Sequence, residues 1–137
     1  MPLKTTEHLN VLLIDDDEED YFIMAKLISE IQQYKCSITW RYSYNTALAE
    51  LSTLQYHIAF VDYRLGAKTG VELIEEAILS GVYIPFILTT GCSSPSVNTS
   101  LDKNGKYTHL LKMQLTSASL EYAIKSALAD YVNHDAS

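Results

Sequence analysis

The chain has 137 residues, of which 47% are hydrophobic and 20% charged, a composition typical of one globular domain with a sizeable core. Its net charge of −7 disfavours direct binding to nucleic acid, whose phosphates attract basic proteins. No apolar run approaches the roughly 18 residues of a membrane span, and the N-terminus lacks the apolar stretch of a signal peptide. Cys36 and Cys92 lack the spacing of a metal site. We therefore expect a cytoplasmic protein with free thiols and no membrane partner.

Apolar runs alternate with segments of helical periodicity, which predicts a repeated strand–helix unit. In chain order the predicted elements are strand 9–14, helix 18–33, strand 36–42, helix 45–54, strand 57–61, helix 70–80 (ended by Gly81), a strand after Pro85, a helix between Ser94 and Gly105, strand 107–111, and a helix from Thr116 or Ser117 to about 131. Unbroken apolar strands are typical of a parallel sheet covered on both faces. We predict a single domain over 1–137, with its core at about 9–131 and frayed ends at 1–7 and 133–137.

Four of the predicted strands end in a reactive polar group. The first and third strands are followed by Asp15-Asp16 and by Asp62, and the fourth and fifth lead into Thr90 and Lys112. In open parallel sheets, ligands sit just outside the carboxyl ends of the strands. We therefore expect these side chains to share one site.

The residue types at these strand ends indicate a chemistry. Carboxylates about 4 Å apart repel each other by roughly 4 kcal/mol per pair at an effective dielectric near 20, so a cluster of them stays ionised only around a cation. Carboxylate oxygens together with water suit Mg²⁺. With Lys112 and the Thr90 hydroxyl around Asp62, the set predicts a site for phosphoryl transfer to a carboxylate.

Each of these residues alone also has a plain structural interpretation. The acidic run after the first strand could cap a helix, and Asp17 and Glu18 fit that role. Asp62 could form a turn, Thr90 could be a satisfied strand-end hydroxyl, and Lys112 could be a solvated surface lysine. Their coincidence at successive strand ends favours the shared site.

The ordered set Asp15-Asp16, Asp62, Thr90 and Lys112 resembles the receiver domain of two-component response regulators. That family has an acidic pair after strand one, a phospho-accepting Asp after strand three, Thr or Ser after strand four, and Lys after strand five. The resemblance spans residues 9 to about 131. It implies an α/β fold, a flavodoxin-like (βα)5 doubly wound domain with a five-stranded parallel sheet in the order 2-1-3-4-5.

The resemblance also implies a function, that of a phosphorylation-activated switch and not of an enzyme. Asp62 would accept a phosphoryl group from the phosphohistidine of a sensor histidine kinase or phosphotransfer protein, and a downstream effector would read the result. Lys112 would neutralise charge, and Thr90 would turn toward the phosphoryl group as a switch residue. The implied Mg²⁺ ligands are Asp15, Asp16, Asp62 and the backbone carbonyl of Arg64. The kinase, the output and a homodimeric state are left open.

Some positions depart from the family pattern. Met113 follows Lys112 where proline is common, so Lys112 is expected to be held less firmly. His109 stands at the position of the switch aromatic and could turn inward or remain an exposed strand histidine. The helix between Ser94 and Gly105 consists of mediocre helix formers, so we expect it to be short and the most mobile element before phosphorylation.

Two other functions remain in view. A pseudo-receiver, an interaction module that works without phosphorylation, is favoured by Met113, by His109 and by the unusual helix between Ser94 and Gly105. It is opposed by the intact acidic triad. A phosphatase with an aspartyl nucleophile usually needs a second acid two residues after the nucleophile, and here that residue is Arg64.

Overall fold

The structure, a computed structural model, describes the backbone of residues 7–91 and 107–136 and the side chains of residues 7–91 and 107–129. In chain order its elements are β1 Glu7–Ile14, α1 Glu18–Ser29, β2 Tyr34–Arg41, α2 Tyr44–Leu51, β3 Ile58–Asp62, β4 Arg64–Leu65, β5 Lys68–Thr69, α3 Gly70–Leu79, β6 Phe86–Thr90, β7 Thr108–Leu111, a 3-10 turn Lys112–Gln114, and α4 Ser117–Ala136. Cys92 and the helix predicted between Ser94 and Gly105 lie outside the described residues.

The long strands form one parallel five-stranded sheet in the order β2-β1-β3-β6-β7. Counted without the two-residue strands β4 and β5, which pair as a separate antiparallel hairpin, this is the predicted order 2-1-3-4-5. The α/β fold class is therefore confirmed. Both β3 and β6 are buried at every position, as the unbroken apolar runs predicted for strands covered on two faces.

Helices cover both faces of this sheet. Along β1, Leu12 and Ile14 pack on one side with residues of α2 and α3, whereas Val11 and Leu13 pack on the other side with residues of α1 and α4. Successive strand residues point to opposite faces, so one strand supplies both cores. The sheet is thereby held rigidly, and the ends of its strands are fixed relative to one another.

Several element bounds differ from the predicted ones. Helix α2 ends at Leu51 and not at 54, because Leu54 has a left-handed φ of 58°, which no helix continues. Helix α1 ends at Ser29, four residues early, since β2 already begins at Tyr34. Glu7, predicted to be frayed, begins β1.

Other helices begin or end where predicted, or extend further along the chain. Helix α3 starts with a capping box, in which the Thr69 side chain accepts from the Glu72 N–H and Glu72 reaches back to the Thr69 backbone. It stops before Gly81, whose φ of 98° suits glycine, as predicted. The backbone of α4 stays helical to Ala136, beyond the predicted limit of 131. Within residues 7–91 and 107–136, no helix is long and apolar enough to cross a membrane.

Candidate functional site

The carboxyl ends of β1, β3 and β7 bring the predicted charged residues together. Lys112, directly after β7, places its Nζ 2.9 Å from Asp15 Oδ2 and 3.1 Å from Asp62 Oδ1. Asp15 follows β1 and Asp62 ends β3, and these strands are neighbours in the sheet. The side chains of Asp15, Asp62 and Lys112 therefore lie together at this edge of the sheet.

The three predicted carboxylate ligands form one cluster. Asp15, Asp16 and Asp62 each offer an oxygen, and these oxygens lie within 4.8 Å of one another. Asp15 and Asp62 are buried, whereas Asp16 is exposed and opens the cluster to solvent. Hard carboxylate oxygens at this spacing, with an open side for water, fit Mg²⁺.

Local hydrogen bonds orient the loop that carries two of these acids. Asp15 Oδ1 accepts the Asp17 N–H at 2.9 Å, and Asp17 Oδ1 accepts the Glu19 N–H at 2.9 Å. Asp17 is thus the N-cap of α1, as the plain interpretation of that acid predicted. The cap starts the helix at Glu18, directly after the loop that carries Asp15 and Asp16.

A fourth acid, Asp20 in the first turn of α1, also contacts Lys112. Its Oδ2 lies 2.6 Å from Lys112 Nζ, the shortest of the three ion pairs that this lysine makes in the described structure. No pattern in the sequence separated Asp20 from the neighbouring acids Glu18 and Glu19. Although Met113 follows Lys112, the lysine is only 14% exposed and is held by three carboxylates, contrary to the expectation of a loosely held side chain.

The electrostatics of the cluster set its protonation. Burial, and next the nearby Asp15 charge, raise the pKa of Asp62 to about 7, against the opposing effect of Lys112. Burial also raises the pKa of Asp15, while Lys112 and the Asp17 N–H oppose the rise. Burial alone would lower the pKa of Lys112, but its hydrogen bonds to Asp20 and Asp15 raise it above the ordinary value. Lys112 therefore stays charged, and a second positive charge would drive Asp62 to its ionised form.

Thr90, at the end of β6, is buried and bonded to His109. Thr90 Oγ1 lies 2.8 Å from His109 Nε2. His109 pairs with Leu88 in the parallel ladder, so Thr90, two residues beyond Leu88, points to the same face of the sheet. His109 is half-buried, which excludes the exposed strand histidine among the alternatives. Burial lowers its pKa, so the ring is neutral near neutral pH.

The segment after Asp62 folds back, so that Gly70 lies close to the backbone of Asp62. The Tyr63 N–H donates to the Thr89 carbonyl at 2.8 Å, and the Gly70 N–H donates to the Tyr63 carbonyl at 2.7 Å. A Cβ at Gly70 would lie 2.3 Å from the Asp62 carbonyl oxygen, so only glycine allows α3 to begin here. Arg64 is exposed at the start of the β4–β5 hairpin, and its carbonyl as a metal ligand stays a prediction.

No protein-family model matches the sequence, and a comparison with curated proteins finds no relative. Solved structures do match over nearly the whole chain. A response regulator receiver domain protein (CheY-like) from Methanospirillum hungatei is 22% identical, with a TM-score of 0.73 over 93% of this chain and 99% of that chain. A two-component response regulator from Cytophaga hutchinsonii is 20% identical, with a TM-score of 0.75 over 91% of this chain and 99% of that chain.

A third match comes from a longer protein. The N-terminal domain of a response regulator/sensory box/GGDEF protein from Carboxydothermus hydrogenoformans is 18% identical, with a TM-score of 0.73 over 91% of this chain and 98% of that chain. At such identities the shared feature is the backbone arrangement of sheet and helices. The chain therefore has the fold of response regulator receiver domains.

Proposed function

We propose that this chain is a phosphorylation-dependent switch that accepts a phosphoryl group on Asp62. The observation that carries the proposal is the convergence of buried Asp62 and Asp15 on Lys112 at ion-pair distance, beside exposed Asp16. A pair of acids for a cation, a nucleophilic carboxylate and a fixed positive charge are the parts that phosphoryl transfer to aspartate requires. They lie at the carboxyl edge of a parallel sheet, where ligands approach such folds.

The chemistry is an in-line transfer. A carboxylate oxygen of Asp62 attacks the phosphorus of a phosphohistidine, the P–N bond breaks, and its electron pair leaves with the imidazole, which takes a proton. Lys112 already contacts Asp62 and remains close to the acyl phosphate, whose negative charge it balances. The domain supplies these groups to its own phosphorylation and acts on no other substrate.

The cation would be held by Asp15, Asp16, Asp62 and the backbone carbonyl of Arg64. When bound there, Mg²⁺ neutralises the repulsion among the carboxylates and the charge of the phosphoryl oxygens. Burial of Asp15 and Asp62 explains why the cation matters here, since their carboxylates are poorly hydrated.

The switch is a change of partner by Thr90. Its hydroxyl contacts His109 in the unphosphorylated protein, and a phosphoryl group on Asp62 offers a stronger, charged acceptor. Thr90 leaves His109 to donate to that group, which frees the imidazole and shifts the ends of β6 and β7. A local charge is thus converted into a movement of two strand ends.

The proposed partners follow from this chemistry. A sensor histidine kinase or a phosphotransfer protein supplies the phosphoryl group in the cytoplasm, and an effector protein or domain binds the altered surface. The solved domain from the response regulator/sensory box/GGDEF protein is one case of this fold joined to other domains in a single chain.

Incubation with acetyl phosphate and Mg²⁺, followed by mass spectrometry, tests the proposal. The wild type should gain one acid-stable, base-labile phosphate, Asp62→Asn should gain none, and Glu18→Gln, which changes an exposed acid outside the cluster, should behave as wild type. Phosphate on another residue, or none with a donor that labels a known receiver domain, would overturn the assignment.

The second candidate is a pseudo-receiver that binds partners without phosphorylation. The observation that favours it is the hydrogen bond that already engages Thr90 with His109. A folded protein that binds Mg²⁺ but takes no phosphate from any donor would favour this candidate. Opposed to it is the acidic cluster, because an interaction module has no need to bury the carboxylates of Asp15 and Asp62.

A further inference from the structure

Trp40, the only tryptophan of the chain, contacts the backbone of a proposed cation ligand. Its indole Nε1–H donates to the carbonyl oxygen of Asp15 at 2.8 Å. The next residue, Arg41, accepts the Asp15 N–H at its own carbonyl at 3.1 Å. Both peptide groups that flank the Asp15 Cα are therefore tied to the end of β2.

The hydrogen bond from the Trp40 indole connects β2 to the chain one residue beyond the last residue pair of β1 and β2. Parallel pairing of β1 with β2 ends at Ile14 and Arg41, and Ser43 already caps α2. The Asp15 carbonyl belongs to the peptide bond that joins Asp15 to Asp16. Fixing that peptide plane fixes the Cα of Asp16, the exposed acid of the cluster, as well as that of Asp15.

A second contact holds the indole in place. The Trp40 ring stacks on Tyr21 with centroids 4.5 Å apart and planes 7° from parallel. Tyr21 lies in α1 directly after Asp20, which pairs with Lys112, and the Tyr21 N–H donates to the Asp17 carbonyl at 3.0 Å. The loop between β1 and α1 is thus held at its start by the indole N–H and at its end through the stacked ring.

From this geometry we infer that Trp40 is a positioning residue for the cation site, which keeps the Asp15-Asp16 loop in its metal-binding shape; the inference rests on the proposed function. Trp40 touches neither the carboxylate oxygens nor the reacting atoms and acts through the Asp15 backbone. Removing a group that orients a metal ligand in this way weakens metal affinity by about 10- to 100-fold. A tryptophan that merely filled the sheet edge would affect stability and leave the affinity of the folded protein unchanged.

Isothermal titration of the full chain with Mg²⁺ tests the inference. Trp40→Phe keeps an aromatic ring beside Tyr21 but removes the indole N–H together with its five-membered ring, so it should weaken Mg²⁺ binding about tenfold. Tyr21→Leu keeps the N–H and removes the stack, so it should weaken binding by a smaller factor, about threefold. Tyr42→Leu is the control, because Tyr42 is 64% exposed and its ring is tilted against the indole, with centroids 5.9 Å apart; this variant should bind Mg²⁺ as wild type.

Nuclear magnetic resonance of the wild type gives a second measurement that needs no variant. The single indole N–H signal should shift during Mg²⁺ titration with the same dissociation constant as the amides of Asp16 and Asp17. An indole signal that stays unmoved while those amides shift, or Trp40→Phe binding within twofold of wild type, overturns the inference alone. A wild type that binds no Mg²⁺ overturns the proposed function together with it.

Discussion

Replacing Asp62 by asparagine should make the cation-free protein more stable. Asp62 ends β3 with only 7% of its surface exposed, and burial followed by the charge of Asp15 raises its pKa to about 7. Ionising this carboxyl in the folded protein is therefore unfavourable, even with Lys112 alongside. Asparagine has nearly the same shape and carries no charge, so Asp62→Asn removes the unfavourable ionisation.

The size of the effect follows from the difference between the folded and unfolded pKa. The pKa of Asp62 is about 7 in the folded protein and 3.8 in an ordinary chain. At about 1.4 kcal/mol per pH unit, ionising this carboxyl therefore lowers the free energy of unfolding by at most about 4 kcal/mol. The folded state holds the proton more tightly than the unfolded state, so stability falls as pH rises between these two values. The gain from Asp62→Asn should be small near pH 4 and approach about 4 kcal/mol above pH 7.

Urea unfolding in the presence of a chelator, followed by Trp40 fluorescence, measures this difference from about pH 5 to about pH 8. Asp17→Asn is the matched control, because it removes the same charge at an exposed position and asparagine still caps a helix. That variant should differ little from wild type at every pH. Added Mg²⁺ should stabilise the wild type more than Asp62→Asn. The difference in free energy of unfolding between the two proteins should therefore become smaller.

Two outcomes would contradict an unfavourable ionisation of Asp62 in the folded protein. The first is an Asp62→Asn protein less stable than wild type at about pH 8 without metal, which would mean that the ionised carboxyl is favourable in the fold. The second is a difference between the two proteins that does not change with pH, which would mean that a contact other than the charge of Asp62 sets the stability.

Lys112→Gln should destabilise the fold by about 3 kcal/mol near pH 8, because it leaves buried carboxylates unpaired; equal stability in urea unfolding would show that solvent already screens them. Gly70→Ala should lower stability by about 1–3 kcal/mol or more, since its Cβ would lie 2.3 Å from a carbonyl oxygen. A Cβ at Gly91 would meet no atom of the described residues within 4 Å, so Gly91→Ala should be neutral in thermal unfolding. His109→Phe removes the hydrogen bond to Thr90, so beryllofluoride, a phosphoryl mimic, should bind about fivefold more tightly; unchanged affinity in a titration would mean that His109 does not restrain Thr90.

The layout of the sheet and the polar residues at the strand ends could be predicted from the sequence. Unbroken apolar runs predicted buried parallel strands, and the end of each run marked the carboxyl end of a strand. The polar residues at these ends could therefore be assigned to one edge of the sheet; they are Asp15, Asp62, Thr90 and Lys112. These inferences succeed because they depend on local periodicity and on the geometry that every parallel sheet shares. The stop of α3 before Gly81 was also local, since glycine alone favours its left-handed φ.

The contacts that hold the site in place could not be predicted from the sequence, because they join distant parts of the chain. The Asp20–Lys112 ion pair joins residues 92 positions apart, and the indole bond of Trp40 to Asp15 joins residues 25 positions apart. The hydrogen bond of His109 likewise depends on Thr90 in the neighbouring strand. A side chain at a strand end or in a first helical turn has several rotamers open to it, and contacts with distant parts of the chain select among them. The local sequence sets the backbone position of such a side chain, whereas packing sets the position of its charged or polar end.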